Sequence, residues 1–535
     1  MIASDTSALL CELDRCFARF ATRPALRSEG GPDGSYELTY AEVRGRIAGT
    51  AAALRAAGVG PGARVALLCE NRPEYVIALL ASWHAGATVV PLDTKLGVAE
   101  LRVLVGHARP LIVLTSLAHH DRAREAAPGT RLVVLDTAPL VVAAPGEPAH
   151  RGRSDVALVI YTSGTTGEPK GVAITFGNLM FQVRAVDAAI GPQGRERFLS
   201  LLPLCHLYEL ICGLLVPMSR GAVISYPANE TLLPAELALL MKSRRITSIV
   251  GVPLLYRALQ RGIDVQLRRA PRLVRLVVAT LGAIAAVVPL PAVRRFLAAP
   301  VLRAFGGRLH QLYSGGAALD VDVARRFERM GLRIFEGYGL TETSPVIATN
   351  TPRAYRVGSV GRPLPGVDVR ISSEGEIQTR GPHVMRGYLD RPDLTRAVLD
   401  DEGWFSTGDL GHLDADGYLH VTGRAKDVIV LGGGKKVYPD EVEQVLAQHA
   451  GFAEVCVLGV AARHGNEDVC AVVVPAPGAE VDAETEVARA LASLAAFKRP
   501  TRVVVRREPI PRTTTRKAKR AVLGDWVIAQ DREAA

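Results

Sequence analysis

Short apolar runs alternate with helical periods across the first two-thirds of the chain, and this alternation limits the fold more than any other feature. Residues 64–69, Arg-Val-Ala-Leu-Leu-Cys, read as a strand, 73–85 as an amphipathic helix and 87–91 as the next strand. Repetition of that pattern builds βαβ units on a parallel sheet. The chain has 535 residues, too many for one core, and ordinary domain sizes give about two to four structural units. Beyond roughly residue 358 the texture changes to short β runs at 367–371, 376–379 and 418–422, separated by Gly, Pro and Asp turns. From 437 onward the expected order is helix (439–449), strands (452–460 and 468–475), helix (484–494) and strand (502–506). The expected fold class is therefore α/β. A large N-terminal domain of parallel α/β sheets spans 1–424, with a small β-rich subdomain at about 358–424, and an α+β domain spans 425–535.

The first twenty residues mix acids and bases among their apolar side chains, unlike a secretory signal, and the expectation is a cytoplasmic protein. Seven cysteines form no CxxC pair and are expected to be reduced and mostly buried. The net charge of +10 is concentrated: residues 244–308 hold twelve arginines against one acid, Asp264. A general nucleic-acid surface is not implied, because the excess sits in one place without a recognition motif. The same segment contains residues 276–293, eighteen positions without a formal charge. Pro289, Pro291 and Gly282 argue against a spanning helix. Two readings stay open, an interfacial element drawn to anionic lipid and an apolar helix packed on the core with a solvated arginine face.

The sharpest local motif is Tyr161-Thr-Ser-Gly-Thr-Thr-Gly-Glu-Pro-Lys-Gly171, directly after an apolar strand. Unobstructed backbone N–H groups, short hydroxyl donors and one counter-charge are what a polyphosphate requires, whereas a plain flexible connector would not order eleven positions this way. Lys170 precedes Gly-Val instead of Ser or Thr, so this is not a Walker A loop.

The loop closely resembles the signature of the adenylate-forming (AMP-binding) superfamily, which includes acyl-CoA synthetases, peptide-synthetase adenylation domains and beetle luciferases. Further motifs of that family follow in order: Tyr338-Gly-Leu-Thr-Glu342, Gly375-Glu-Ile-Gln-Thr-Arg-Gly-Pro382, Trp404-Phe-Ser-Thr-Gly-Asp409, Gly423-Arg-Ala-Lys-Asp427 and Pro511-Arg-Thr-Thr-Thr-Arg-Lys517. The resemblance implies ATP, Mg²⁺ and coenzyme A as the cofactor and co-substrate set. It assigns Thr162, Ser163, Gly164, Thr165, Thr166, Gly167 and Lys170 to the phosphates, and Gly316, Ala317, Tyr338 and Gly339 to the nucleotide. Glu342 is the implied magnesium ligand and Thr341 the α-phosphate contact. Asp409 and Arg424 are implied at the ribose, Lys426 at a hinge, and Gly434 beside the thiol tunnel. Lys517 is the implied catalytic lysine of a C-terminal domain that rotates between two half-reactions. His206, within Leu202-Pro-Leu-Cys-His-Leu-Tyr-Glu209, is implied at the acyl pocket or the thiol gate. Phe176 and Arg516 depart from the histidine and glycine common at those positions.

The acid pocket is expected from residues 206–215, 250–256, 313–317 and 337–339, which are chiefly apolar, with no acid placed to hold an amino group. A fatty acid is the first expectation, with branch features most like long-chain acyl-CoA ligases, and an aryl acid is the alternative. Transfer to CoA or to a carrier-protein phosphopantetheine stays open, since both offer the same thiol arm. A non-catalytic acyl or nucleotide sensor is the remaining class, and the intact Lys517, Glu342, Asp409 and Lys170 argue against it.

Overall fold

The computed structural model describes residues 8–30, 34–137, 146–162, 169–191, 195–229, 232–287, 290–431, 435–461, 467–479, 482–512 and 518–534. The chain divides into two compact units, one formed by 1–368 and 379–405, the other by 369–378 and 406–535. Residues 406–424, placed in the N-terminal domain in the sequence expectation, fall in the second of these units.

The first unit is built on two sheets. In the larger, nine strands among the described residues run in the order Arg362–Pro363, Ala348–Thr349, Ile334–Tyr338, Gln311–Ser314, Ser248–Gly251, Arg197–Leu199, Val223–Pro227, Pro24–Glu29, Ser35–Thr39. The central six, from Ile334–Tyr338 to Pro24–Glu29, are mutually parallel, and antiparallel strands close both edges. In the second sheet, Thr88–Pro91, Arg64–Leu68, Ile112–Thr115 and Arg131–Val134 are parallel to the strand Val156–Thr162, while Lys170–Thr175 and Gly387–Tyr388 extend it antiparallel. The alternation in the sequence thus became parallel sheet, because strands buried on both faces read as continuous apolar runs.

The helix Pro73–His84 corrects one expectation. It is not amphipathic in its packing: every residue from Pro73 to Trp83 is buried, and Trp83 Nε1 donates to Ala157 O at 2.9 Å across the sheet. An apolar helix covered on all sides belongs to the interior of a large α/β unit.

Within the second unit, a four-stranded sheet runs Asp368–Ile371, Glu376–Arg380, Phe405–Leu413, Leu419–Arg424. Beyond it, Phe452–Ala461 and Glu467–Pro475 pair antiparallel, and Arg502–Val505 adds in parallel. Helices Pro439–Leu446 and Ala483–Ala490 seal one apolar cluster around Val457, Val469 and Ala471. The helix Arg520–Ala534, not expected from the sequence, places Leu523 and Val527 against Cys456, Cys470 and Val472. None of the seven cysteines is in a disulfide, and four of them are buried.

Candidate active site

Strand pairing sets the geometry around the phosphate-type loop. Val156–Thr162 and Lys170–Thr175 form a hairpin with Thr162 opposite Lys170, so the chain leaves the sheet at one and returns at the other. Ser163, Gly164, Thr165, Thr166 and Gly167 lie outside the described residues. On the far side of Lys170–Thr175, Tyr388 pairs with Val172, which brings the Tyr388 ring to 5.7 Å from Lys170 Nζ. The Tyr388 hydroxyl donates to Glu342 Oε1 at 3.0 Å, and Met385 N donates to Glu342 O at 2.8 Å. Burial and the Glu342 charge push the Tyr388 hydroxyl well above the usual phenol range, so it stays a donor. Lys170 and Glu342, both expected from sequence, are therefore brought together by a residue that was not.

Glu342 and Thr341 sit in a single tight turn, Thr341–Thr343, whose entry is braced by Leu340 N donating to Thr343 Oγ1 at 2.9 Å. Tyr338 ends the strand Ile334–Tyr338 and is half-buried. Gly339 follows because nothing larger fits: a Cβ there would lie 1.8 Å from Pro345 O. Gly316 adopts φ +82°, open to glycine at little cost, and Ala317 beside it is exposed.

A cavity in the same unit reaches Gly337, next to Tyr338. Phe198, Tyr208, Tyr313 and Phe335 give it aromatic walls, and Cys212, Val216 and Val346 add apolar surface. Tyr208, Cys212, Tyr313 and Gly337 belong to the stretches expected to form the acid pocket, whereas 250–256 contributes none of the lining. Two charged residues were not expected there. Glu196 lies with its Oε1 3.7 Å from Arg220 Nη1, and Arg220 is held by Asp187 through Nε at 2.5 Å. Burial raises the Glu196 carboxyl to about 7, with Arg220 acting in the opposite direction.

Residues 209–215 form a π-helical turn, which carries Cys212 to the cavity. The Glu209 carboxyl folds back into that turn and accepts from Ser200 Oγ at 2.6 Å. Gly213 makes room for it, since a Cβ would lie 2.5 Å from Glu209 Cδ.

His206 faces Asp93, with 3.7 Å between Nε2 and Oδ2, and neither atom has a hydrogen-bond partner among the described residues. Burial lowers the imidazole pKa, with the Asp93 carboxylate pulling the other way. Cys205 joins them, and the three donor atoms lie within 4.8 Å of one another. That set suits a borderline transition ion more than Mg²⁺, which takes oxygen ligands.

The second unit holds the other expected residues. Asp409 and Arg424 are cross-strand partners, joined by an ion pair of 3.1 Å from Nε to Oδ1. Lys426 lies exposed in the turn Ala425–Asp427. Gly434 and Lys517 fall outside the described residues. Arg512 and Ala518 form an antiparallel bridge across the segment containing Lys517, and Lys519 N donates to Pro511 O at 2.8 Å. Arg520 follows the basic residues Arg512, Arg516, Lys517 and Lys519 in sequence and is itself half-buried. Its guanidinium meets Asp427 at 3.2 Å, Asp440 at 3.0 Å and Glu443 at 2.8 Å, and its Nε donates to Val457 O.

Two family models match the chain, AMP-binding enzyme over residues 13–389 and AMP-binding enzyme C-terminal domain over 441–517. The chain belongs to the AMP-binding enzyme family. A feruloyl-CoA synthase from Amycolatopsis sp is 35% identical over 87% of this chain and 89% of its own length. ATP-bound MatB from Rhodopseudomonas palustris superposes with a TM-score of 0.80 at 28% identity, covering 96% of this chain and 98% of that one. The O-succinylbenzoate coenzyme A synthetase MenE from Bacillus subtilis, solved with ATP and magnesium ion, gives 0.76 at 26% identity over 95% and 98%. Like these AMP-binding enzymes, the chain is an α/β protein, and it is an acid–thiol ligase that uses ATP.

The AMP-binding family implies a magnesium ion, and the residues here fit one. Glu342 is a hard oxygen donor oriented at one carboxylate oxygen by Tyr388, close to the strand that starts at Lys170. Tyr388 had no signal in the sequence, because a two-residue strand has no period to read.

Proposed function

We propose that this protein activates a hydrophobic carboxylic acid with ATP and Mg²⁺, giving an acyl-adenylate and pyrophosphate, and then passes the acyl group to the thiol of coenzyme A. The observation that carries this reading is the grouping of Lys170, Tyr388 and Glu342 in the same unit as a mainly apolar cavity that reaches Gly337. In it, Lys170 supplies a counter-charge for phosphate, and Thr341 lies beside Glu342 at the turn. A bound Mg²⁺ would neutralise phosphate charge at Glu342. Asp409 and Arg424 are proposed for the ribose, Lys517 for the attacking carboxylate and α-phosphate, and His206 for the acyl or thiol approach. The domain 425–535, turning at Lys426 with Gly434 on its thiol side, completes the proposal.

Two acid classes fit. A medium- or long-chain fatty acid suits the apolar surface and the long-chain branch features of the sequence. The aromatic walls Phe198, Tyr208, Tyr313 and Phe335, together with the feruloyl-CoA synthase relative, favour an aryl acid. A peripheral position at the inner face of a membrane is compatible with either acid. ATP–pyrophosphate exchange across fatty, aryl and amino acids tests the proposal, with thioester formation followed in free CoA. Exchange with no acid overturns it, and sustained pyrophosphate release without acyl-CoA moves the acceptor to a carrier protein.

A further inference from the structure

The helical segment before Gly306 is exposed on its apolar side. Helices Pro253–Arg269, Arg272–Val287 and Pro291–Leu297 follow one another, and among the described residues none is long and apolar enough to cross a membrane. Along Arg272–Val287, Leu273, Leu276, Val277 and Ile284 recur at helical spacing and all face solvent, Leu273 at 72% and Leu276 at 65% exposure. Leu290 and Phe296 continue the surface, Phe296 at 79%. These exposures exclude the reading in which the apolar side packs on the core and only the arginines are solvated. A contiguous apolar stripe of this kind on a large enzyme marks a contact surface.

Its charge identifies the partner. Arg268, Arg269, Arg272 and Arg275 are exposed at the start of the stripe and make no ion pair among the described residues. Asp264, the one acid between residues 244 and 308, is already paired with Arg326. Arg272 and Arg275 each precede a stripe residue by one position, about 100° around the helix, so their stems can lie along the apolar face while their heads reach outward. A second copy of this chain would oppose arginine to arginine.

We infer that the helix Arg272–Val287 and the helix Pro291–Leu297 after it lie in the headgroup region of an anionic phospholipid bilayer, with Leu273, Leu276 and Phe296 inserted and Arg268, Arg269, Arg272 and Arg275 on the phosphates. The contact is peripheral, because a 16-residue helix placed in the interface plane inserts only its apolar face. It does not depend on which acid the enzyme activates.

Co-sedimentation of the full chain with phosphatidylcholine vesicles, with and without phosphatidylglycerol, tests this at low and high salt. The expected result is pelleting with phosphatidylglycerol at low salt, weakened at high salt and weaker with pure phosphatidylcholine. Arg272→Gln with Arg275→Gln should lower partitioning by about fivefold per arginine. Leu273→Ser, Leu276→Ser and Phe296→Ser combined should abolish it. A chain that stays in the supernatant with phosphatidylglycerol at low salt, or a triple variant that pellets like the parent, overturns the inference. So does a parent dimer that the triple variant converts to monomer without any vesicle binding. Exchange activity with a soluble acid in lipid-free buffer should match between parent and variants, confirming that the variants fold. Loss of exchange in every chain would defeat the ligase reading and leave the vesicle result standing.

Discussion

The Tyr388 hydroxyl holds Glu342 Oε1 at 3.0 Å across 46 residues of sequence, and it does so from a strand that pairs beside Lys170. The bond fixes one carboxylate oxygen without spending a charge on it. Tyr388→Phe keeps the ring over Lys170 and removes only the donor. A hydrogen bond to a charged group contributes about 1.5–3 kcal/mol, so kcat/KM for Mg·ATP should fall by about 10- to 100-fold. KM for the acid should hold, and a magnesium titration of pyrophosphate exchange should shift to higher concentration. An unchanged magnesium dependence would show that Tyr388 does not position Glu342.

Lys517→Ala should separate the two half-reactions. Exchange should drop by about 10²–10³, the loss of roughly 3–4 kcal/mol of charge stabilisation. Thioester formation from a supplied acyl-adenylate should stay within a few-fold of the parent. Equal losses in both steps would remove Lys517 from the adenylation role.

Glu209 is wholly buried, and burial raises its carboxyl to about 8, with the Ser200 hydroxyl pulling the other way. A folded-state pKa above the unfolded value means that the native protein binds more protons between pH 4.5 and about 8. Stability from this group is full below the lower value and declines as pH rises, by up to about 1.4 kcal/mol per pH unit. Glu209→Gln should therefore flatten the fall of Tm over that window and be the more stable chain at its alkaline end. Parallel Tm curves for parent and variant would refute the assignment.

Arg520→Met would leave Asp427, Asp440 and Glu443 facing one another without their cation. These groups are half-buried and the Asp440 side chain is 46% exposed, so the loss should be smaller than for a fully buried pair, about 1–3 kcal/mol. The second unit should unfold at lower denaturant, read by hydrogen exchange in the strands Phe452–Ala461 and Glu467–Pro475, while amides of Thr88–Pro91 hold their protection.

The periodic parts of the fold were legible. Strands at 64–68, 88–91, 452–461 and 467–475 fall where apolar runs placed them, since pattern and burial coincide there. The errors have tertiary causes. Pro73–His84 reads as amphipathic because Glu74 and Ser82 interrupt it, yet Glu74 is buried against Arg72 and Ser82 donates to Ala78 O. Glu196 and Arg220 reach the cavity through a pairing between Arg197–Leu199 and Val223–Pro227, which no local window contains. Arg520 has only other cations near it in sequence, Arg516, Lys517 and Lys519, and folding supplies its three carboxylates.

Arg520 stands three residues beyond Lys517, and Asp427 one residue beyond Lys426. One guanidinium thus rivets the root of the lysine-bearing segment to the turn about which the domain is proposed to pivot. With that rivet in place, the distance from pivot to Arg520 is a fixed radius, and the proposed rotation cannot be absorbed as slack at the root of that segment. Loosening it would blur the timing between the two half-reactions before it altered the chemistry of either.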